Sequence, residues 1–213
     1  MNHYLGFIHS EQAKRTIENL EKHGIHGYFF HNREEAVEKI LSMIPKGGTI
    51  ASGGSETLTE IGLTDALRNG AYPFLPSPAL GMTAGEIKNL QREALLAEIY
   101  ISSANAITEE GEILNVDGTG NRVAAMAFGP DKVIIVVGIN KLVKNMQEAV
   151  ERVKRIAGPS VNLRAGSGTP CTKTGYCADC QSPERKCNVY SVIKHQRNPE
   201  RLYVFIINET LGF

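Results

Sequence analysis

The hydrophobic pattern divides this chain into short apolar runs that alternate with amphipathic stretches. Residues 11–23 carry Ala13, Ile17 and Leu20 at helical spacing, and Gly24 stops that helix. Residues 25–30 (IHGYFF) read as a strand. Asn32 caps a second helix with Glu35 as its reciprocal partner, and Ala36, Val37, Ile40 and Leu41 face inward. Residues 49–51 form a short strand that runs into Ser52-Gly53-Gly54-Ser55, and a helix boxed by Thr57 and Glu60 starts at Glu56. Residues 72–75 read as a strand, followed by a loop that Pro73, Pro76 and Pro78 hold rigid. Thr83 and Glu86 box a helix that ends near Leu96, and residues 98–102 form the next strand. A helix from about 145 to 157 is closed by Gly158-Pro159, and residues 201–208 (RLYVFIIN) give a last strand.

The chain is organised around residues 113–138, which read as strand, glycine loop, short helix, turn and strand. Residues 132–138 (KVIIVVG) suit an interior strand covered on both faces. The alternation predicts a three-layer α/β/α domain, with a mostly parallel sheet between two helical layers. Strands around Ile107 and Ile113 form an antiparallel insert. The pattern changes at Arg164, and residues 166–188 have almost no apolar periodicity. Residues 1–213 are therefore read as a single α/β domain, with 166–188 an irregular cysteine-rich excursion.

Two glycine loops are the candidate ligand site. Ser52, Gly53, Gly54, Ser55 and Thr57 follow a strand and open a helix, where unpaired N–H groups suit an anion. Asp117, Gly118, Thr119, Gly120, Asn121 and Arg122 repeat that arrangement, and Arg122 adds a fork of donors suited to carboxylate or phosphate. Neither loop is a P-loop, and neither has the G-x-G-x-x-G pattern. If both lie at the carboxyl ends of parallel strands, they share one edge and form a pocket for a small anion or nucleotide. A plain capped helix start explains the first loop equally well. Glu110 is a candidate base or nucleophile, although a charged turn explains it more simply. Asn140-Lys141, after the 132–138 strand, could touch a ligand phosphate or merely approach the next helix.

All four cysteines, Cys171, Cys177, Cys180 and Cys187, lie in one segment with spacing C-x5-C-x2-C-x6-C. Four thiolates suit a [4Fe–4S] cluster or tetrahedral zinc. The spacing matches neither a paired C-x2-C zinc site nor a ferredoxin run. A metal or cluster is preferred to paired disulfides or free thiols, and iron–sulfur slightly to zinc.

Composition narrows the classes further. Lys+Arg and Asp+Glu balance at 23 each, so no overall field draws in nucleic acid or an anionic membrane. No apolar run is long enough to span a bilayer, and residues 1–12 do not read as a signal peptide, so the expected location is cytoplasmic. The oligomeric state, a homo-oligomer included, stays open.

The stretches SGGSETLTEIGL, SANAITEEGEILNVDGTGNR and VIIVVGINKLV, with the terminal TPC…CADCQSPERKCN, resemble the LUD (lactate-utilisation, formerly DUF162) family over nearly the whole chain. The likeness is to the branch with a cysteine tail. It implies the fold shared by ribose-5-phosphate isomerase, glucosamine-6-phosphate deaminase and the CoA transferases. It also implies a part in L-lactate oxidation beside iron–sulfur partner proteins of a lactate oxidase system. The CoA transferases use a glutamate nucleophile in a turn comparable to Glu110-Gly111, without the same spacing. The long ferredoxin part of larger relatives is missing. The reading is a component that binds a small anionic molecule and carries a metal centre. The alternatives are a stand-alone enzyme on a phosphorylated or CoA-linked substrate and a non-catalytic regulatory subunit.

Overall fold

Five strands rich in β-branched and aromatic residues line up in parallel, 26–30 beside 202–207, then 132–138, 99–102 and 50–52. The computed structural model describes residues 3–76, 78 and 81–213, so part of the proline-bearing loop lies outside the described residues. Along the chain the elements are α1 (His3–Lys22), β1 (His26–Phe30), α2 (Arg33–Ser42), β2 (Ile50–Ser52), α3 (Glu56–Glu60), α4 (Leu63–Asn69) and α5 (Ala84–Glu93). There follow β3 (Ile99–Ser102), β4 (Ala106–Thr108), β5 (Ile113–Asp117), α6 (Asn121–Ala127), β6 (Lys132–Gly138), β7 (Leu142–Val143) and α7 (Met146–Arg152). The last are α8 (Gly158–Arg164), α9 (Cys171–Thr174), β8 (Val189–Ile193) and β9 (Leu202–Ile207).

Side chains alternate across a strand, so each central strand feeds two cores. Val133, Ile135 and Val137 of β6 join Leu202, Val204 and Ile206 of β9 against Ala13 and Leu20 of α1 and Val123 and Met126 of α6. Ile134 and Val136 point the other way with Tyr203, Phe205 and Ile207, onto Ile40 of α2, Leu58 of α3 and Leu63 and Leu67 of α4. The result is a mostly parallel sheet with helices on both faces, as the alternation of elements predicts.

The antiparallel insert is larger than expected. Ile107 does face Ile113, but β4 and β5 belong to a second sheet of order β7-β4-β5-β8. The β-branched Val189, Val192 and Ile193 signal β8, yet the run is short, half exposed and next to the cysteine segment. The helix expected to stop at Gly158-Pro159 runs on. A π-helical turn over Val153–Ala157 joins α7 to α8, and this wider turn carries the helix past Pro159, at the start of α8. Residues 72–75 form only a single bridge, Phe74 to Ile50.

Caps follow the sequence at α2 and α5, where Asn32 and the Thr83–Glu86 box hold the first turns. At α3 the cap is Ser55, whose hydroxyl accepts from Leu58 N, and Thr57 is buried instead. Among the described residues, no helix is long and apolar enough to cross a membrane.

Candidate functional site

At the carboxyl ends of β2, β3 and β6 the chain leaves the sheet through SGGS, SSAN and GINK, and polar groups gather there. They line a cavity of about 370 Å³, within the size range of small-molecule sites. Gly53, Gly54, Ser55 and Thr57 line it from one side, and Asp117, Gly118, Thr119, Asn121 and Arg122 from the other. The two loops therefore meet, but not by the route the sequence suggests. The second loop leaves β5, a strand of the antiparallel sheet, rather than a parallel strand end. Ser52 and Gly120 are not among the lining residues. Gly120, at φ +90°, turns the chain into α6. Gly53 approaches its neighbours so closely that a Cβ there would stand 2.8 Å from the Tyr100 hydroxyl and 3.0 Å from Arg122 Cδ. The α3 helix is only five residues long, so its dipole is a minor contributor to the potential here.

The role expected of Arg122 changes in the structure. Its guanidinium donates to the carbonyls of Ser103 and Val116 and to the side-chain oxygens of Asn115 and Asn105, at 2.8–3.0 Å. Asp117 stands 3.6 Å from its Nε. Four of its five N–H donors are committed inside the protein, so Arg122 is a strut between the loops, not a fork held out to a ligand. Burial works against its charge and lowers its pKa, the more usual cost of an internal cation.

Lys141 is the residue the sequence undervalued. It follows β6 by three residues and is 3% exposed. Its Nζ donates to Thr57 Oγ1 at 2.9 Å and to Ser103 Oγ at 3.0 Å, and no carboxylate pairs with it among the described residues. Burial first, then the neighbouring guanidinium groups of Arg152 and Arg122, bring its pKa from 10.5 down to about 7. Arg152, at the end of α7, braces the same turn by donating to the carbonyls of Asn140 and Asn105. Asn140 holds the chain at Leu211, which carries Gly212 to the Thr57 hydroxyl. The rim is cationic as well. Arg164 of α8 bonds Glu56 at 3.1 Å and lies over the Phe213 ring, and Lys186, tied to the same helix through Asn162, lines the cavity too. With Asp117 beside Arg122 and Glu56 beside Arg164, Lys141 and Lys186 are left in excess.

Glu110 is not in this cavity. It is exposed at the tip of the β4–β5 turn, where Glu109 bonds Arg15 of α1 and Gly111 packs on the α1 backbone. A base at that position would have no bound ligand within reach in this cavity.

The four cysteines are free thiols and all line a second, much smaller cavity of about 10 Å³, room for roughly one water. Cys171 is buried beneath α8, with its sulfur 3.2 Å from Thr169 Oγ1. Asp179, between Cys177 and Cys180, takes the left-handed conformation at φ 46° and bonds Lys154 at 2.8 Å. Arg185 ties the carbonyls of Cys180 and Cys187 together. Desolvation pushes the Cys177 thiol up. Among the described residues, no three His, Cys, Asp or Glu side chains form a group that could hold a metal ion. The two cavities are neighbours. Asn162 of α8 lines the cysteine cavity and accepts from Lys186 N, and the Lys186 side chain lines the larger one.

The fold and the glycine-loop sequences can be set beside known proteins. A crystal structure of a DUF162 family protein from Deinococcus radiodurans matches at TM-score 0.51 and 15% identity, covering 93% of this chain and 98% of that one. Ribose 5-phosphate isomerase from Plasmodium falciparum matches at TM-score 0.32 and 17% identity over 53% of each chain. No curated protein is significantly similar in sequence. The family model described as LUD domain matches residues 13–207, nearly the whole of the two sheets and both cavities, and the chain belongs to the LUD domain family.

Proposed function

We propose that this protein binds a small anionic molecule in the larger cavity and serves as a component of organic-acid utilisation, lactate being the acid that the family's name suggests. One observation carries the reading: a buried Lys141 amine under two glycine loops, held by two hydroxyls and paired with no carboxylate. An isolated internal charge is costly, and an anion seated beside it offsets that cost. Backbone N–H groups around Gly54 and Gly118, which line the cavity, would give the anion further donors. Lys186 and Arg164 extend the positive potential to the entrance.

The second half of the proposal is an iron–sulfur centre on the tail. Cys171, Cys177, Cys180 and Cys187 would hold it, and it would supply one-electron transfer. The donor set fits in number and kind, since four thiols line one cavity. In a four-iron cluster each thiolate binds a different iron, so the sulfurs need not crowd around one point as they must for zinc. The cavity must open to accept such a group. Iron–sulfur partner proteins of a lactate oxidase system are the partners this reading expects.

The alternative, a stand-alone enzyme on a phosphorylated or CoA-linked substrate, draws its support from the volume of the larger cavity, not from Glu110. Thermal unfolding with lactate, inorganic phosphate and CoA tests both. Lactate or phosphate should raise Tm in the wild type, and Lys141→Met should reduce the affinity at least tenfold. A wild-type response to CoA alone would favour the alternative. No response to any of the three would end the anion reading.

A further inference from the structure

The chemistry of Lys141 goes beyond holding a charge. An ammonium kept only as an anion anchor works best fully protonated, yet the surroundings of Lys141 work against its proton. Its two partners are hydroxyls that can receive from an ammonium or donate to a free amine. The Glu60 carboxylate, which accepts from Gly212 N, favours the charged form, but burial and the guanidinium groups of Arg152 and Arg122 outweigh it. Much of the residue is therefore free amine at neutral pH, with its pKa about 7. A desolvated lysine beside other cations is the arrangement that makes an amine nucleophilic. The cavity in front of it is lined by cations whose donors are not all committed, Arg164 and Lys186.

We propose that Lys141 forms a reversible imine with the carbonyl of a small 2-oxo acid, its carboxylate held by Arg164 and Lys186. The amine nitrogen attacks the carbonyl carbon, and the carbonyl oxygen takes up a proton to give a carbinolamine. The nitrogen then loses its remaining proton, the hydroxyl leaves as water, and the C=N bond forms. Ser103 and Thr57, whose hydroxyls touch Nζ and lie 3.4 Å from each other, are placed to pass these protons. No oxidant or reductant is consumed. A 2-oxo acid is also what two-electron oxidation of a 2-hydroxy acid yields, so the ligand class agrees with the anion reading, on which this inference rests.

Borohydride trapping tests it. The protein is incubated with pyruvate or glyoxylate near pH 7.5, reduced with cyanoborohydride, digested and read by mass spectrometry. The reduced adduct should fall on Lys141, at least tenfold above any other lysine. Acetone, which lacks the carboxylate, should label it at least tenfold less. Lys141→Arg should remove the adduct, and circular dichroism would show whether that variant is folded. Should it fail to fold, competition by inorganic phosphate on the wild type gives the same information, because phosphate in the cavity blocks labelling. Labelling spread over surface lysines, or an unlabelled Lys141 in protein that lactate or phosphate stabilises, overturns the imine and leaves the anion site standing. An unlabelled Lys141 in protein that no anion stabilises overturns both.

Discussion

At Lys141 the unfolded chain holds a proton up to about pH 10.5, whereas the folded chain releases it near 7. Between those values the unfolded state binds more protons, so folding stability rises with pH across that window. Below about pH 7 the full cost of a buried charge is present. Each tenfold loss of proton affinity corresponds to roughly 1.4 kcal/mol, so the difference is on the order of a few kcal/mol. Denaturation of wild type and Lys141→Met from pH 6 to 10 should show a steeper rise in the wild type, and equal slopes would mean that the amine is solvated. Anion affinity runs the opposite way, falling above pH 7 as the amine loses its charge. The sequence could not reveal this residue's surroundings. Asn140-Lys141 stood out as a strand-end pair, but the partners of Nζ, Thr57 and Ser103, lie 84 and 38 positions away. Arg122 shows the reverse error. Its type and its glycine loop suggested an open fork, and only the folded arrangement reveals that Asn105, Asn115 and two carbonyls use its donors.

Local signals were legible where the partners are close in sequence. The Thr83–Glu86 box and the Asn32 cap need only a few residues to act, and both formed. The charge-free run in β6 fixed its place at the sheet's middle, because only a strand covered on both faces tolerates such a sequence. Elements that depend on a distant surface were harder to read. β8 exists because β5 offers it an antiparallel edge, and the π-turn lets one helix pass a proline that normally ends one. The glycine ending β6 is another such case. A Cβ at Gly138 would lie 2.4 Å from Asn140 Oδ1, 2.5 Å from Glu209 O and 2.7 Å from Leu211 N. Two of those atoms are backbone and cannot swing aside. Gly138→Ala should therefore cost about 1–3 kcal/mol in urea denaturation and shift the turn that carries Lys141. An unchanged midpoint together with unchanged anion affinity would show that the turn adapts.

On the scale of the whole molecule, α8 and residues 185–187 form a wall with the anion cavity on one side and the thiols on the other. Protein purified without oxygen should carry about four iron per chain with the broad visible absorbance of a cluster. Cys177→Ser should lose it with the helical content unchanged. A well-folded wild type free of iron would remove the metal half of the proposal. The thiols were conspicuous in the sequence because they are clustered there. The wall between the cavities was not, since it joins a helix to a loop more than twenty residues on.

The strand order has a consequence for how the molecule is made. β9 sits between β1 and β6, yet it follows both of them in the chain, after every other strand described. A ribosome delivers β1 about 170 residues before the partner it pairs with, and until then the backbone edges that β1 and β6 turn toward β9 stay unpaired. The central sheet can close only when residues 202–207 emerge from the exit tunnel, so co-translational folding stalls with two unmated edges until that segment arrives.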